Sequence, residues 1–161
     1  MNTYSTELSI EAASDQAIFA KCAAMMATSA PWTTMGISYE QCLQGFEGSW
    51  RETYVLLYQQ KLAGFVVIQP LGTFKGYIQT ICISEEFRGN GFGKHLLRFC
   101  EAKILETSPN VFICVSSFNT GALKLYQEFG FKLVGELNDF VKTGFTELLL
   151  RKTIGPMLPE G

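Results

Sequence analysis

The chain has 161 residues, enough for one domain with a substantial core and short for two. Hydrophobic residues make up 47% and charged ones 17%, which excludes a disordered chain. Thirteen basic against 15 acidic side chains, a net charge of −2 with no run of lysine or arginine, leave no electrostatic footprint for nucleic acid or an anionic membrane.

The segment 6–13, TELSIEAA, alternates weakly and predicts a first strand. Residues 14–28 are rich in Ala, Met, Phe and Ile without β-branched bias, so a helix follows, with Ser14 or Asp15 as its cap. Residues 29–38 (SAPWTTMGIS) read as a loop by their Ser, Pro, Thr and Gly content. A second helix is expected over 38–46, where Ser38 and Gln41 have capping-box spacing. The period then shortens. TYVLLYQ (53–59) and LAGFVVIQP (62–70) form a hairpin about a polar Gln-Lys turn, and GYIQTICIS (76–84) is a third strand. Apolar residues recur at helical spacing from Gly91 to Thr107. VFICVSS (111–117) is a buried strand, NTGALKLYQEFG (119–130) a helix closed by Gly130, and 131–141 and 143–152 a closing hairpin.

The order is β-α-α-β-β-β-α-β-α-β-β, seven strands and four helices in a mixed α/β fold. The helix between strands 76–84 and 111–117 makes those two a parallel pair, and hairpins make the rest antiparallel. One domain over 1–152 is expected, with 153–161 (TIGPMLPEG) as a loosely attached tail.

Five scattered cysteines form no C-x-x-C, and there is a single histidine, so no metal site is expected. Buried free thiols in a reducing compartment account for them. The apolar stretch 17–30 is interrupted by Lys21 and falls short of the ~20 residues a bilayer span needs, and 1–11 lack a basic n-region. A cytoplasmic protein with no membrane or nucleic-acid partner is the expectation; a homodimer stays open.

The most informative segment is SEEFRGNGFGKHLL (84–97), with three alternate glycines between a strand end and a helix start. Free N–H groups and the positive end of the helix dipole meet there, and missing Cβ atoms let a diphosphate approach them. The spacing is neither G-x-G-x-x-G right after the strand nor G-x-x-x-x-G-K-[ST], which removes a dinucleotide fold and a triphosphatase loop.

Arg88, Gly91 and Gly93 match Q/R-x-x-G-x-G/A, the acyl-CoA-binding signature of the GNAT superfamily of N-acyltransferases, which this chain resembles. Asn119, Ala122, Tyr126, Gly130 and Phe131 are similar to that family's N-x-x-A-x-x-x-Y-x-x-x-G-F helix. The resemblance implies a mostly antiparallel seven-stranded sheet whose central parallel pair splays to admit pantetheine. It implies acetyl-CoA as co-substrate, its pantetheine paired with main chain of Ile81, Cys82 and Ile83. Main-chain N–H groups of Arg88, Gly89, Gly91, Gly93 and Lys94 would hold the pyrophosphate, and Asn119 would touch the pantetheine.

The implied reaction moves an acetyl group directly to a primary amine of a small molecule or a peptide, with Tyr126 as general acid. A non-catalytic acyl-CoA-binding regulatory module is the alternative. Where family members carry a basic glutamate, this chain has Cys114, or Gln79 and Thr80. Glu147 on the last strand is one candidate base; water relayed through Gln79, Tyr77 or main-chain carbonyls is preferred, and the base stays unassigned. His95 reads as a surface or phosphate contact. Trp32 and Tyr77, with Gln79, are expected on the acceptor side, where nothing acidic favours a polycation.

Overall fold

The computed structural model describes residues 7–160. Its strands are β1 (Leu8–Ala13), β2 (Glu52–Tyr58), β3 (Lys61–Gln69), β4 (Tyr77–Ile83), β5 (Asn110–Ser116), β6 (Lys132–Asn138) and β7 (Thr146–Thr153). The helices are α1 (Gln16–Ala27), α2 (Trp32–Met35), α3 (Tyr39–Gln44), α4 (Phe92–Leu105) and α5 (Thr120–Phe129). Thr6, the first residue of the expected strand, lies outside the described residues. No helix among those residues is long and apolar enough to cross a membrane.

Local chemistry sets most of these boundaries. Asp15 caps α1 by accepting from the Ala17 N–H at 2.7 Å, and Ser38 and Gln41 close a reciprocal capping box on α3. Gly130 ends α5 in the left-handed region. Two expectations are corrected. The 29–38 segment contains one helical turn, α2, so the described residues form five helices rather than four. The closing hairpin is shorter than its apolar content suggested: Asp139 has φ +56° and its Oδ1 accepts from the Gly144 N–H at 2.7 Å, which ends β6 and puts Phe140 and Val141 in a loop. At the other end, β7 runs to Thr153, and the Ile154 N–H donates to the Pro109 carbonyl at 3.0 Å, so the tail starts pinned to the sheet.

The seven strands form one sheet in the order β1-β2-β3-β4-β5-β7-β6. Only β4 and β5 run parallel, and they pair at just two positions, Tyr77 with Phe112 and Ile78 with Ile113. The reason lies in β4's other neighbour. Val67 of β3 pairs with Thr80 while Ile68 pairs with Ile78, so Gln79 is the extra residue of a bulge. A bulge bends its strand and sharpens the twist. β4 therefore turns away from β5 just beyond Ile78, and a gap opens at the centre of the sheet.

Two apolar cores flank the sheet. α4 and α5 bury Leu96, Leu97, Cys100, Ile104 and Tyr126 against Leu56, Val66, Ile78, Ile113 and Leu150. α1 and α3 bury Phe19, Cys22, Met26 and Cys42 against Val55, Phe65, Val67 and Cys82. Burial pushes the thiols of Cys22, Cys82 and Cys100 up to about 12, so these cysteines pack as apolar groups.

Gly76 shows how tightly the first core is closed. It has φ +82°, and an added Cβ would strike Ile104 and sit 2.6 Å from the Asn110 carbonyl oxygen. Left-handed strain of about 1–2 kcal/mol and overpacking of about 1–3 kcal/mol add to roughly 3 kcal/mol of lost stability for Gly76→Ala. Urea unfolding of the two proteins measures it as a lower midpoint at unchanged slope.

Candidate active site

The glycine segment folds as a single 3₁₀ turn (Glu85–Phe87) followed by α4. Gly91, at φ +78°, is the helix N-cap and brings no side-chain hydrogen bond to it. His95 is the first residue of α4 whose N–H meets a main-chain carbonyl, that of Gly91 at 3.1 Å. The amides of Phe92, Gly93 and Lys94 thus form an uncapped, positively polarised turn. Beta-carbons built on Gly89 or Gly91 would meet no atom within 4 Å. Packing does not demand glycine at these two positions; their backbone conformation and the open ground above them do. Asn90 braces the turn from below, its Nδ2 donating to the Phe87 carbonyl at 3.0 Å.

Arg88 does not fit the part expected of its amide. That N–H donates to the Glu85 carbonyl at 3.3 Å inside the 3₁₀ turn, while the guanidinium Nε donates to the Ile83 carbonyl at 3.2 Å. The uncommitted amides lie from Gly89 onward.

Cys82 needs a second correction. The Ser84 N–H donates to the Ala63 carbonyl at 2.8 Å, which makes Ser84–Ala63 a hydrogen-bonded pair of the antiparallel β3–β4 ladder. Such pairs alternate, so Cys82–Phe65 is the next bonded pair and both main-chain groups of Cys82 face β3. Ile81 and Ile83 sit at non-bonded positions, and their amides face the gap left by β5. The Cys82 side chain belongs to the core with α1 and α3.

Beside the gap lies a cavity of about 130 Å³ bordered by Tyr126 from α5, Tyr77 and Gln79 from β4, and Cys114 and Ser116 from β5. Asn119, Trp32 and Met35 also line it, as do Phe140, Val141 and Glu147. Lys142 Nζ donates to the Gly36 carbonyl at 3.2 Å and so ties the β6–β7 loop to the turn after α2. Asn119 Oδ1 caps α5 by accepting from the Ala122 N–H at 3.3 Å.

The Tyr126 ring is buried in the α4–α5 core, edge-on to Phe131 at 6.1 Å. Its hydroxyl has no hydrogen-bond partner among the described residues. Burial raises the phenol well above its ordinary range, with Cys100 and Cys82 adding to the shift, so the proton stays on. Tyr77 is raised in the same direction, mainly by burial and then by the neighbouring Cys114 thiol and the Glu147 carboxylate.

Gln79, expected on the acceptor side and as part of a water relay, has its amide oxygen fully engaged and one of its two N–H groups committed. Its Oε1 accepts from Arg51 Nε and from Gln69 Nε2, each at 2.7 Å, and its Nε2 donates to the Gly45 carbonyl at 2.9 Å. The bulge turns it toward the α3–β2 loop, where it acts as a brace. Neither the neutral Gln79 amide nor the protonated Tyr77 hydroxyl is itself a base, so a relay through these two side chains needs a separate group to hold the proton.

The carboxylate that could take this part is Glu147. It opens the apolar run ELLL on β7 and is only 5% exposed. Pairing of β7 with β5 sets it opposite Ser116, whose Oγ donates to Glu147 Oε1 at 2.7 Å. Burial raises its pKa, and the Ser116 hydrogen bond opposes part of that rise. The signal in the sequence was a single acid opening a run of three leucines. Which face it took depended on long-range register.

The structure is similar to that of the ribosomal-protein-S18-alanine N-acetyltransferase of Escherichia coli, at 17% identity and TM-score 0.71, over 92% of this chain and 95% of that one. It is similar also to a GNAT family acetyltransferase from Elizabethkingia anophelis with acetyl-CoA bound, at 20% identity and TM-score 0.68, covering 92% and 99%. A third neighbour is an aminoglycoside 6′-N-acetyltransferase complexed with coenzyme A, at 15% identity and TM-score 0.71, covering 94% and 99%. No curated protein sequence matches the chain. The family described as "Acetyltransferase (GNAT) family" matches residues 21–131. That match spans well over half of the sequence, so the chain belongs to the GNAT family and is an acyl-CoA-dependent acetyltransferase with acetyl-CoA as co-substrate.

Proposed function

We propose that this enzyme transfers the acetyl group directly to a primary amine, with Glu147 as general base and Tyr126 as general acid. The observation that carries this reading is a buried carboxylate and a buried, protonated phenol on one small cavity beside the gap between β4 and β5. The free main-chain edge of Ile81 and the N–H of Ile83, whose carbonyl already accepts from Arg88, suit the pantetheine amides. The uncommitted N–H groups of Gly89, Gly91, Gly93 and Lys94 suit the pyrophosphate, and Asn119 Nδ2 is left to face the pantetheine side.

An alkylamine has a pKa of about 10 and is protonated at neutral pH, so a proton must leave before nitrogen can attack. Glu147 takes that proton. That first proton passes on to water; the nitrogen–carbon bond then forms as the carbon–sulfur bond breaks, Glu147 takes the second proton from the nitrogen, and the Tyr126 hydroxyl gives its own to the departing sulfur. A proton passing from the Glu147 carboxyl to the phenolate resets both groups. Glu147 also removes the main support for a non-catalytic acyl-CoA-binding module, which was the lack of a carboxylate. The five free thiols are consistent with a cytoplasmic setting.

Amine-dependent release of CoA thiol from acetyl-CoA tests the assignment. Tyr126→Phe is expected to lower kcat about tenfold or more while CoA affinity, measured by calorimetry, barely moves. Undiminished turnover by this variant across the pH range would remove Tyr126 from the mechanism.

A further inference from the structure

The cavity holding Glu147 and Tyr126 measures about 130 Å³, below the roughly 300 Å³ at which ligand pockets begin. It has room for an amine on a short stem and little else. The rest of the acceptor must lie elsewhere. Tyr77, Cys114 and Phe140 are shared walls, and on their other side opens a cleft of about 560 Å³.

This cleft exists because the helices cover only half of one sheet face. α1 and α3 pack over β2, β3 and β4, whereas Phe112 of β5, Leu149 of β7 and Leu137 of β6 line the cleft instead. The β3–β4 loop supplies Leu71 and Phe74, with Phe74 edge-on to Phe112 at 5.2 Å. Leu71 is 67% exposed, Phe74 57% and Phe140 59%, a concentration of apolar surface beside a reactive cavity.

From this continuity we infer that the acceptor is a small monoamine carrying an aromatic or comparably bulky apolar body, amine in the inner cavity and body in the cleft. The inference rests on the transfer reading above. Charge excludes the polycations: among the described residues the cleft has no acidic side chain, and the inner cavity has one, Glu147. A second ammonium would therefore be desolvated without a partner. Hydrogen bonding disfavours a polypeptide. Peptide N–H and C=O groups need partners when buried, but the cleft's polar side chains are few, and the Gln69 amide nitrogen is already given to Gln79.

The test compares kcat/KM for 2-phenylethylamine, ethylamine, spermidine and a short peptide with N-terminal phenylalanine. Phenylethylamine is expected to exceed ethylamine and spermidine by at least about tenfold. Phe74→Ala, and separately Leu71→Asp, should lower the phenylethylamine-to-ethylamine ratio about tenfold; both side chains are exposed, so folding is not at stake. Equal values for phenylethylamine and ethylamine, or a ratio unmoved in both variants, overturns the cleft assignment. A peptide preferred tenfold over phenylethylamine replaces the small molecule with a polypeptide and overturns it too. Turnover of ethylamine without aromatic preference sinks the cleft and spares the transfer reading. If no amine is turned over, the transfer reading fails. The cleft then stands or falls on calorimetry with 2-phenylethylamine in the presence of CoA, and absence of heat overturns it.

Discussion

Glu147→Gln is expected to lower kcat by at least about a hundredfold, within the range that a positioned general base contributes. The amide keeps nearly the shape of the carboxyl, and its oxygen can still accept from Ser116 Oγ, so the loss reports proton removal rather than collapse of the site. The pH profile separates the two. A base works only when ionised, so activity of the native enzyme rises as pH climbs through the Glu147 pKa. Burial holds that pKa above the ordinary carboxylate value, which moves the acidic limb toward neutrality. The glutamine variant should lack this limb.

Stability supplies an independent check with a fixed sign. A carboxyl whose pKa is raised by folding stabilises the native state fully below its unfolded pKa, and that contribution is lost as pH rises through the folded pKa. Replacing Glu147 with an uncharged residue therefore costs nothing above that pH. The melting temperature of Glu147→Gln at pH 8 is expected to equal or exceed that of the native protein. Full turnover by a stable, folded variant would take Glu147 out of the reaction.

Gly91→Val is expected to raise the KM for acetyl-CoA about a hundredfold. Gly91 is the N-cap of α4 at φ +78°, where a β-branched residue is strained by about 1–2 kcal/mol. The built Cβ meets no protein atom, so the fold loses that strain energy and little more. The larger effect falls on the ligand. The side chain occupies the ground over the uncapped amides, and shifting the backbone out of the left-handed region turns the neighbouring N–H groups from their common focus. Calorimetry with coenzyme A measures the loss directly, beside a melting temperature only a few degrees lower. Unaltered CoA affinity would mean that the diphosphate does not sit at this turn.

Much of this architecture is legible in order and composition. Asp15, Ser38 with Gln41, and Gly130 mark helix ends because capping is chemistry between residues a few positions apart. The spacing of Arg88, Gly91 and Gly93, and of Asn119, Ala122 and Tyr126, carries the family resemblance for the same reason. At the end of β6 a local turn overrode side-chain character: Phe140 and Val141 are apolar, yet the turn made by Asp139 and Gly144 takes both out of the strand and puts Phe140 in the wall of a cleft.

The sequence by itself determined the order of the strands and of the helices other than the one-turn α2, the caps and the uncapped glycine turn, since each depends on backbone propensity or contacts within one or two turns of chain. Tertiary structure alone decided where the strand residues around the site point. The bulge at Gln79 opens the sheet and turns that glutamine into a brace. The β3–β4 ladder points Ile81 and Ile83, not Cys82, at the gap. The β5–β7 register buries Glu147 against Ser116. In a strand, one residue of register exchanges the two faces, and that register is fixed by a partner strand distant in sequence.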